Sequence, residues 1–330
     1  MAQCHTPGTA DGLAGAARRV VVLGGSGFVG RHVAAAVRAS GAEPLLVSRR
    51  PLGDGPDRSF PMDLAGDGPD GLARLLDTER PYAVVNAAGA AWSRVPETMD
   101  RGNHLLVETL LSALATAAWR PRLVQLGSIF EYAPPAPGTT LDERAPLRPT
   151  TPYGWSKLRG TRAVLAATEA GRADAVVLRL SNAIGAGTPA SSLLGRVATQ
   201  LHAADAGEEA EVHVSPLLAS RDFVDVRDVA AAALAAASLP AAGQVVNIGR
   251  GEAVPVRAMV ERLIAASGRR ARIIEGDVAG VRPQSGLDWI QVETGTARRL
   301  LGWTPRHSLD SSVRELWHAA TGRAAEESYS

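Results

Sequence analysis

Four polar residues are spaced in a way that could support an oxidation or a reduction. Tyr153 and Lys157 are four residues apart in a segment predicted to be helical, so their side chains should lie on one face. Ser128 follows a predicted strand, and Asn103 lies in the helical segment before that strand. The intervals from Asn103 to Ser128 and from Ser128 to Tyr153 are both 25 residues. Together the four predict a catalytic site, although a Tyr-x-x-x-Lys pair alone is more often incidental.

The chemistry that suits these groups is hydride addition to a ketone. The resulting alkoxide needs a proton, and a free tyrosine, with a pKa of about 10, exchanges protons slowly at neutral pH. A nearby Lys157 ammonium would favour the phenolate and lower the pKa of Tyr153. Ser128 could hydrogen-bond the carbonyl oxygen and hold it beside Tyr153. Lys157 could also reach the ribose of a nicotinamide cofactor.

A glycine-rich loop between the first predicted strand and helix predicts a dinucleotide site. Residues 24–30 read Gly-Gly-Ser-Gly-Phe-Val-Gly and satisfy both G-x-G-x-x-G and G-x-x-G-x-x-G. Such glycines let the backbone turn tightly and approach a pyrophosphate at the helix N-terminus. The loop residues assigned to the cofactor are Gly24, Gly27, Phe28, Val29 and Gly30.

The end of the second predicted strand bears on the choice of cofactor. An NAD site would place an acidic residue about 20 positions after the glycines. Here the strand ends at Ser48, Arg49 and Arg50, so NADPH is expected to be preferred and NADH remains an alternative. Two solvated surface arginines are the competing interpretation. Asp63 and Leu64, after a third short strand, are expected to flank the adenine, with a helix cap as the alternative.

The surrounding pattern predicts an α/β fold with a doubly wound parallel sheet of the Rossmann type. Apolar strands at 20–23, 45–47, 83–85, 123–126 and 175–178 alternate with helices at 28–39, 97–118 and 153–170. Continuous apolar strands indicate a sheet covered on both faces, which binds ligands at the carboxyl ends of its strands.

Four regions are predicted along the chain. Residues 1–17 and 322–330 are expected to be disordered tails, and residues 18–180 a dinucleotide-binding domain. Residues 181–321 should form mainly a smaller substrate-binding lobe, with some segments returning to the first domain. Within it we predict helices at 224–239, 256–267 and 309–320 and strands at 244–248 and 272–275.

Composition argues against several other classes of protein. The 330 residues carry a net charge of +1, with 45% hydrophobic and 21% charged residues, so neither nucleic acid nor a membrane surface is an expected partner. No apolar run approaches the roughly 18 residues of a membrane span. Cys4 is the only cysteine, and the seven histidines have no metal-ligand spacing, so no metal is expected. A small-molecule substrate and a cytoplasmic location are expected.

The chain closely resembles the extended short-chain dehydrogenase/reductase family, also called the NAD-dependent epimerase/dehydratase family, from about residue 19 to 320. The matching motifs lie at 24–30, 84–88, 103, 126–128, 153–157, 178–185, 221–230 and 301–305. The resemblance implies that Tyr153 is the acid/base, that Ser128 polarises the carbonyl and that Lys157 holds the cofactor ribose.

The resemblance also assigns further binding residues. Ala87 and Ala88 belong with the cofactor site, and Asn182, Arg221 and Arg282 match positions that hold a nucleotide-sugar diphosphate. A homodimer through helices near 99–118 and 153–170 is expected on the same basis.

Other matched positions bear on which reaction is supported. Sugar 4,6-dehydratases of the family carry an acid and a base where this chain has Ile129 and Phe130, so water elimination is unsupported. Glu131 falls one position late and is interpreted as structural or solvated. Family members that epimerise at C3 and C5 use a Cys and a His, and here residues 128–130 contain no Cys and residues 181–195 contain no His. The late segment most resembles reductases of nucleotide-linked 4-keto-6-deoxy sugars, and reduction at C4 is the predicted reaction.

Three alternatives stay open at the level of sequence. Trp92 lies where the substrate ring would sit, and Trp155 stands in the tyrosine helix. The two tryptophan side chains could fill the core. They could instead form an apolar pocket for a flat ketone, as in a tailoring ketoreductase of natural-product ketones. A nucleotide-sugar 4-epimerase is the second alternative. A non-catalytic NADP sensor is the third, and the presence of Tyr153, Lys157 and Ser128 argues against it.

Overall fold

The computed structural model describes residues 18–52, 55–90, 95–205, 207–240, 242–276 and 288–327, with side chains up to residue 322. The strands are β1 (Arg19–Leu23), β2 (Glu43–Ser48), β3 (Arg58–Pro61), β4 (Ala83–Asn86), β5 (Arg122–Ser128), β6 (Ala175–Leu180), β7 (Asn182–Ile184), β8 (Ala210–Val214), β9 (Ser220–Arg221), β10 (Phe223–Asp225), β11 (Val245–Ile248), β12 (Val254–Pro255) and β13 (Ala271–Glu275). The helices are α1 (Phe28–Ala39), α2 (Leu64–Asp67), α3 (Asp70–Glu79), α4 (Pro96–Asp100), α5 (Leu106–Thr116), α6 (Pro152–Glu169), α7 (Leu193–Ala203), α8 (Val226–Ala237), α9 (Val256–Ser267), α10 (Gly295–Leu301) and α11 (Leu309–Glu327).

A parallel sheet forms the centre of the molecule. Within the described ranges it has seven strands in the order β11-β6-β5-β4-β1-β2-β3, and every pairing in it is parallel. The order reverses between β1 and β4, which is the switch point where doubly wound sheets bind ligands. The predicted α/β fold with a Rossmann-type sheet is therefore confirmed.

The first strand shows why this sheet forms. Val20 and Val22 pack on one face against α1 and α8, and Val21 and Leu23 pack on the other against α3 and α5. Because both faces are covered, the whole run is apolar rather than alternating. Full burial of each such side chain contributes about 1.5–3 kcal/mol.

A smaller core lies after β6. It is formed by α7, α9 and α11 together with β8 and β13, which pair in parallel. Two short pairings, β7 with β10 and β9 with β12, connect it to the carboxyl edge of the main sheet. In contrast, β11 pairs with β6 and so lies in the main sheet. Strands β7, β9, β10 and β12 have no counterpart in the sequence-based prediction, because runs of two or three residues carry no periodic signal. The 11-residue helix α7 was also not predicted.

Three helical predictions differ from the structure. The segment predicted as one helix over 97–118 is α4, a π-helical turn at Arg101–Leu105 and α5. The helix predicted from residue 224 begins at Val226, because residues 223–225 form β10 and Asp225 caps the helix by accepting from the Arg227 N–H. The final helix continues to Glu327, whereas a tail was predicted from residue 322.

Two kinds of feature are absent from the described part of the chain. No helix within it has the length and apolar character needed to cross a membrane. Nor do three or more His, Cys, Asp or Glu side chains come together there as a metal site would require.

Candidate active site

The proposed proton-transfer residues meet where β5 ends and α6 begins. Ser128 is the last residue of β5 and is buried. Tyr153 lies in the first turn of α6, which starts at Pro152 behind a cap in which the Thr151 hydroxyl accepts from the Gly154 N–H. Lys157 follows one turn later and is buried. The two elements that the sequence assigned to catalysis are therefore adjacent, with Tyr153 half-buried between them.

The electrostatics of the pair differ from the prediction. Burial raises the pKa of Tyr153 above its ordinary value, and the nearby Ser128 hydroxyl opposes this by hydrogen bonding. Burial also lowers the pKa of Lys157. The Lys157 ammonium donates to the Leu126 carbonyl, with an N–O distance of 2.6 Å. The pKa of Tyr153 is therefore raised where the sequence predicted that Lys157 would lower it, and burial is the main cause.

Asn103 supports the site through its side chain. It lies in the π-helical turn and is buried, and π-helical turns often occur at functional sites. Its Oδ1 accepts from the Ala90 N–H at 3.0 Å, and its Nδ2 donates to the Ala90 carbonyl at 2.7 Å and to the Ser156 hydroxyl at 3.0 Å. Asn103 thus ties the loop after β4 to α6, which is a positioning role.

Phe130 connects the proton-transfer end to the substrate side. Its ring meets the Tyr153 ring edge to face, with centroids 5.9 Å apart, and the Arg221 guanidinium lies 5.8 Å from its centroid. The backbone of α6 also lies close to the backbone of Phe130, and a Cβ at Gly154 would collide with the Phe130 carbonyl oxygen. Sequence reasoning used Phe130 only to exclude dehydration. An aromatic residue at an acid/base position was the available signal for this contact.

Glu131 is buried, which decides between the structural and the solvated interpretations predicted for it. Its side chain is fully buried and forms an ion pair with Arg179, with an N–O distance of 2.9 Å. The solvated interpretation is therefore wrong and the structural one is right. The burial of this carboxylate could not be read from the sequence, because its cationic partner lies 48 residues away.

The glycine loop forms a cradle that fits a dinucleotide. Gly24 has a φ of +74°, and a Cβ there would lie 2.7 Å from the Ala88 backbone. A Cβ at Gly30 would collide with the Gly24 carbonyl oxygen. Gly27 caps α1 with no side-chain acceptor, and the first turn, which includes Phe28 and Val29, has no acidic residue. A pyrophosphate could therefore approach the N-terminus of α1.

The other predicted cofactor residues lie at the same edge of the sheet. Ala87 and Ala88 follow β4, and the Ala87 N–H donates to the Leu23 carbonyl. Ser48 ends β2, and its hydroxyl donates to the Arg50 carbonyl at 2.6 Å. Arg49 and Arg50 are exposed, as residues that meet a phosphate from solvent would be.

The residues assigned to the adenine are less well placed. Asp63 precedes α2 without capping it through its side chain, and its carboxylate is 3.3 Å from the Arg101 guanidinium. Asp63 is the N-cap residue of α2, as the alternative interpretation expected, but its side chain makes no capping hydrogen bond. The Leu64 side chain is buried in the core and is not available to an adenine ring.

Two predicted substrate residues come together at the carboxyl edge. Asn182 begins β7, and its side-chain amide donates to the Asp222 carbonyl at 2.8 Å. Arg221 is the last residue of β9, immediately before Asp222, and it pairs with Val254 of β12. Burial lowers the pKa of Arg221, and the charge of Asp288 opposes that shift. The sequence did not single out Asp222, whose side chain is fully buried.

The two tryptophans and Arg282 have different outcomes. Trp92 and Arg282 lie outside the described residues. Trp155 is 42% exposed on α6, so the interpretation that it fills the core is wrong.

Comparison with known proteins gives a consistent result. The model of the NAD dependent epimerase/dehydratase family matches residues 20–249. The dTDP-6-deoxy-L-talose 4-dehydrogenase (NAD(P)(+)) of Kitasatospora kifunensis is 46% identical over 304 residues, covering 91% of this chain and 95% of that protein. The GDP-6-deoxy-D-mannose reductase of Pseudomonas aeruginosa is 28% identical over 94% of this chain and 99% of its own length.

Structural similarity agrees with these matches. A structure of RMD from Pseudomonas aeruginosa in complex with NADPH superposes with a TM-score of 0.79 at 26% identity, covering 93% of this chain and all of that one. The resemblance predicted from the sequence motifs is thereby confirmed, and the chain belongs to the NAD dependent epimerase/dehydratase family, the extended short-chain dehydrogenases/reductases.

Proposed function

We propose that this protein is an NAD(P)-dependent oxidoreductase that acts at C4 of a nucleoside-diphosphate 6-deoxy sugar. In the reducing direction its substrate is the 4-keto sugar. The 46% identical relative is named for a 4-dehydrogenase reaction on such a sugar, and the relative of 28% identity is named as a reductase. The observation that carries the proposal is the line of contact from Tyr153 across Phe130 to Arg221.

The described residues can each contribute to reduction of a ketone. A bound nicotinamide cofactor would supply or accept the hydride. Ser128 holds the carbonyl oxygen, and Tyr153 gives that oxygen its proton. Because burial raises its pKa, the Tyr153 phenol is a weak acid, but the alkoxide formed by hydride addition is a stronger base and can take its proton. Lys157 lies one turn along α6 from Tyr153, within the same site.

The same line of contact suits the arrangement of groups on a nucleotide sugar. C4 and the diphosphate-bearing C1 lie on opposite sides of a pyranose ring. With C4 at Tyr153 and the diphosphate at Arg221, the sugar must pass across Phe130. An aromatic ring there offers an apolar surface and no acid or base, which agrees with redox chemistry at C4 and not with elimination of water.

Diphosphate binding by Arg221 is the feature that separates this function from a tailoring ketoreductase. Losing one charged contact with the substrate should cost about 2–4 kcal/mol in kcat/KM. The experiment measures NADPH oxidation with a nucleotide 4-keto-6-deoxy sugar and with an aromatic polyketide ketone, for wild type and Arg221→Ala. We expect turnover of the sugar alone and a large loss in the variant. Activity on the aromatic ketone, with Arg221→Ala fully active on the sugar, would overturn the proposal.

We further propose that NADPH is preferred to NADH through Arg49 and Arg50. Both side chains are exposed at the end of β2, so each ion pair to a 2′-phosphate is worth about 1 kcal/mol or less. Replacing both with Ala should raise the KM for NADPH several-fold and leave the KM for NADH unchanged. Arg172→Ala is the matched control, because this exposed arginine precedes β6 at the opposite edge of the sheet. Equal affinity of the wild type for NADH and NADPH would contradict this assignment.

A homodimer is proposed through the π-helical turn with α5 and through α6. Leu105 and Trp155 are large apolar side chains on these segments, and they are 43% and 42% exposed. Covering them with a second copy would remove that surface from water. Light scattering of the wild type and of a Leu105→Glu, Trp155→Glu variant tests this, and a wild-type monomer would refute it.

A further inference from the structure

Glu131 occupies an unusual position directly behind Ser128. One carboxylate oxygen, Oε1, accepts from the Ser128 backbone N–H at 2.8 Å and from the Thr161 hydroxyl at 3.0 Å. The other, Oε2, accepts from Arg179 Nε at 2.9 Å. One side chain therefore joins the end of β5, the middle of α6 and strand β6.

These bonds fix the conformation of Ser128. The Ser128 hydroxyl accepts from the Phe130 N–H at 3.3 Å, while the Glu131 carboxylate holds the Ser128 N–H. This reciprocal pair is a capping box, which closes a single turn at both ends. Gly127 leaves room for the carboxylate, because a Cβ there would lie 2.8 Å from Oε1. Glu131 thus holds the Ser128 backbone, and the Phe130 N–H holds the Ser128 hydroxyl.

A neutral acceptor could make the same bonds, so the charge itself calls for an explanation. The charged or titratable groups around the carboxylate are Arg179 from β6, Lys157 from α6, and Tyr132 and Tyr153. Arg179 compensates the charge and also donates to the Tyr132 hydroxyl at 3.1 Å. The charge of Glu131 adds to the burial that raises the pKa of Tyr153 and opposes the burial that lowers the pKa of Lys157.

We propose that Glu131 is a positioning residue for proton transfer, which holds the Ser128 backbone at the end of β5 and places a negative charge directly behind Ser128. The inference rests on the proposed function for the roles of these three residues. It assigns to Glu131 an action through Ser128, Tyr153 and Lys157 rather than a contact with substrate or cofactor.

The test removes the charge while leaving no buried charge unpaired. Glu131→Gln alone would strand the buried Arg179 guanidinium, so it is combined with Arg179→Met. The carboxamide oxygen can still accept from Ser128. We expect the alkaline limb of the kcat profile for reduction to move to lower pH, so that kcat falls on that limb and is kept at neutral pH. KM and NADPH affinity should stay within about twofold of wild type, because neither changed residue contacts a ligand.

Glu143→Gln is the matched control. Glu143 is a partly buried carboxylate in the adjacent network, where it accepts from the Asn247 N–H at 2.9 Å and from the Thr296 hydroxyl at 3.1 Å. It contacts none of Ser128, Tyr153 and Lys157 through these bonds. Its substitution should leave the pH profile in place. An equal shift in this control would show a general structural effect and would overturn the proposal.

A second readout separates failure of this inference from failure of the proposed function. The phenolate absorbance of the wild type and of the Glu131→Gln, Arg179→Met variant is measured against pH without substrate. From each curve we subtract the curve of the same protein carrying Tyr153→Phe, so that the difference reports the ionisation of Tyr153. Tyr153 should ionise at lower pH in the charge-free variant. Identical titration curves would overturn the role of Glu131 even if the enzyme reduces nucleotide sugars. A shifted curve in a protein that reduces no such sugar would support the role of Glu131 and reject the proposed substrate.

Discussion

The proton-transfer end and the substrate end of the site both contain a buried carboxylate, and the two carboxylates are stabilised differently. Glu131, beneath Ser128, has a buried arginine as counter-ion. Asp222, beside Arg221, accepts from the Ser181 hydroxyl at 3.1 Å and from three backbone N–H groups, those of Arg250, Gly251 and Val292.

The difference corresponds to what each carboxylate holds in place. Glu131 joins long, regular elements of the main sheet and α6, where a full ion pair can be buried among fixed partners. Asp222 gathers backbone N–H groups from two separate segments, residues 250–251 and Val292, and its hydrogen bonds do not fully offset the loss of water. Burial therefore raises its pKa. The proton-transfer end is fixed by charge pairing, and the substrate end by backbone dipoles.

Breaking the ion pair should give the largest effect. Arg179→Met leaves the Glu131 carboxylate buried without its cation, which should lower the free energy of unfolding by about 3–5 kcal/mol. Adding Glu131→Gln should restore most of this loss, because no charge then remains buried and unpaired. Urea unfolding followed by circular dichroism measures both. Equal stability of the two variants would show that the pair contributes nothing through charge compensation.

Removing the proton donor should give the next largest effect. Tyr153→Phe should lower kcat roughly 10²-fold or more, as expected for loss of a general acid, with NADPH affinity little changed. Tyr132→Phe is the matched control, since its buried hydroxyl donates to Asn247 Oδ1 at 2.8 Å and is part of the network behind the site. This control should lower the free energy of unfolding by about 1–3 kcal/mol and keep most of kcat. Near-normal turnover of Tyr153→Phe would rule out the assignment.

The smallest effect concerns the pH dependence of stability at Asp222. Because the pKa of Asp222 is raised in the folded protein, its contribution to stability is fully present below the ordinary value of about 3.9 and is lost as pH rises through the folded value. The difference in unfolding free energy between wild type and Asp222→Asn should therefore fall with rising pH, with a slope of at most about 1.4 kcal/mol per pH unit. A difference that is constant with pH would contradict the raised pKa.

The same comparison explains what the sequence could predict. Tyr153 and Lys157 lie on one helix, and the glycines of residues 24–30 lie in one turn, so spacing alone placed them correctly. The contact of Arg221 with Phe130 and the ion pair of Glu131 with Arg179 join segments that are far apart in the chain. No local pattern encodes such pairings. The π-helical turn around Asn103 was also missed, because its residues follow the ordinary helical period closely enough to be read as one helix.

The central claim is oxidation and reduction at C4 of a nucleotide sugar, and isotope transfer tests it most directly. Wild-type protein is incubated with a nucleoside-diphosphate 4-keto-6-deoxy sugar and NADPH that carries deuterium at the transferable position, and the product is examined by NMR. The account predicts deuterium bonded to C4 of the sugar and formation of NADP⁺ in an amount equal to the reduced sugar. Conversion between C4 epimers without net consumption of NADPH, or deuterium at any other position, would contradict it.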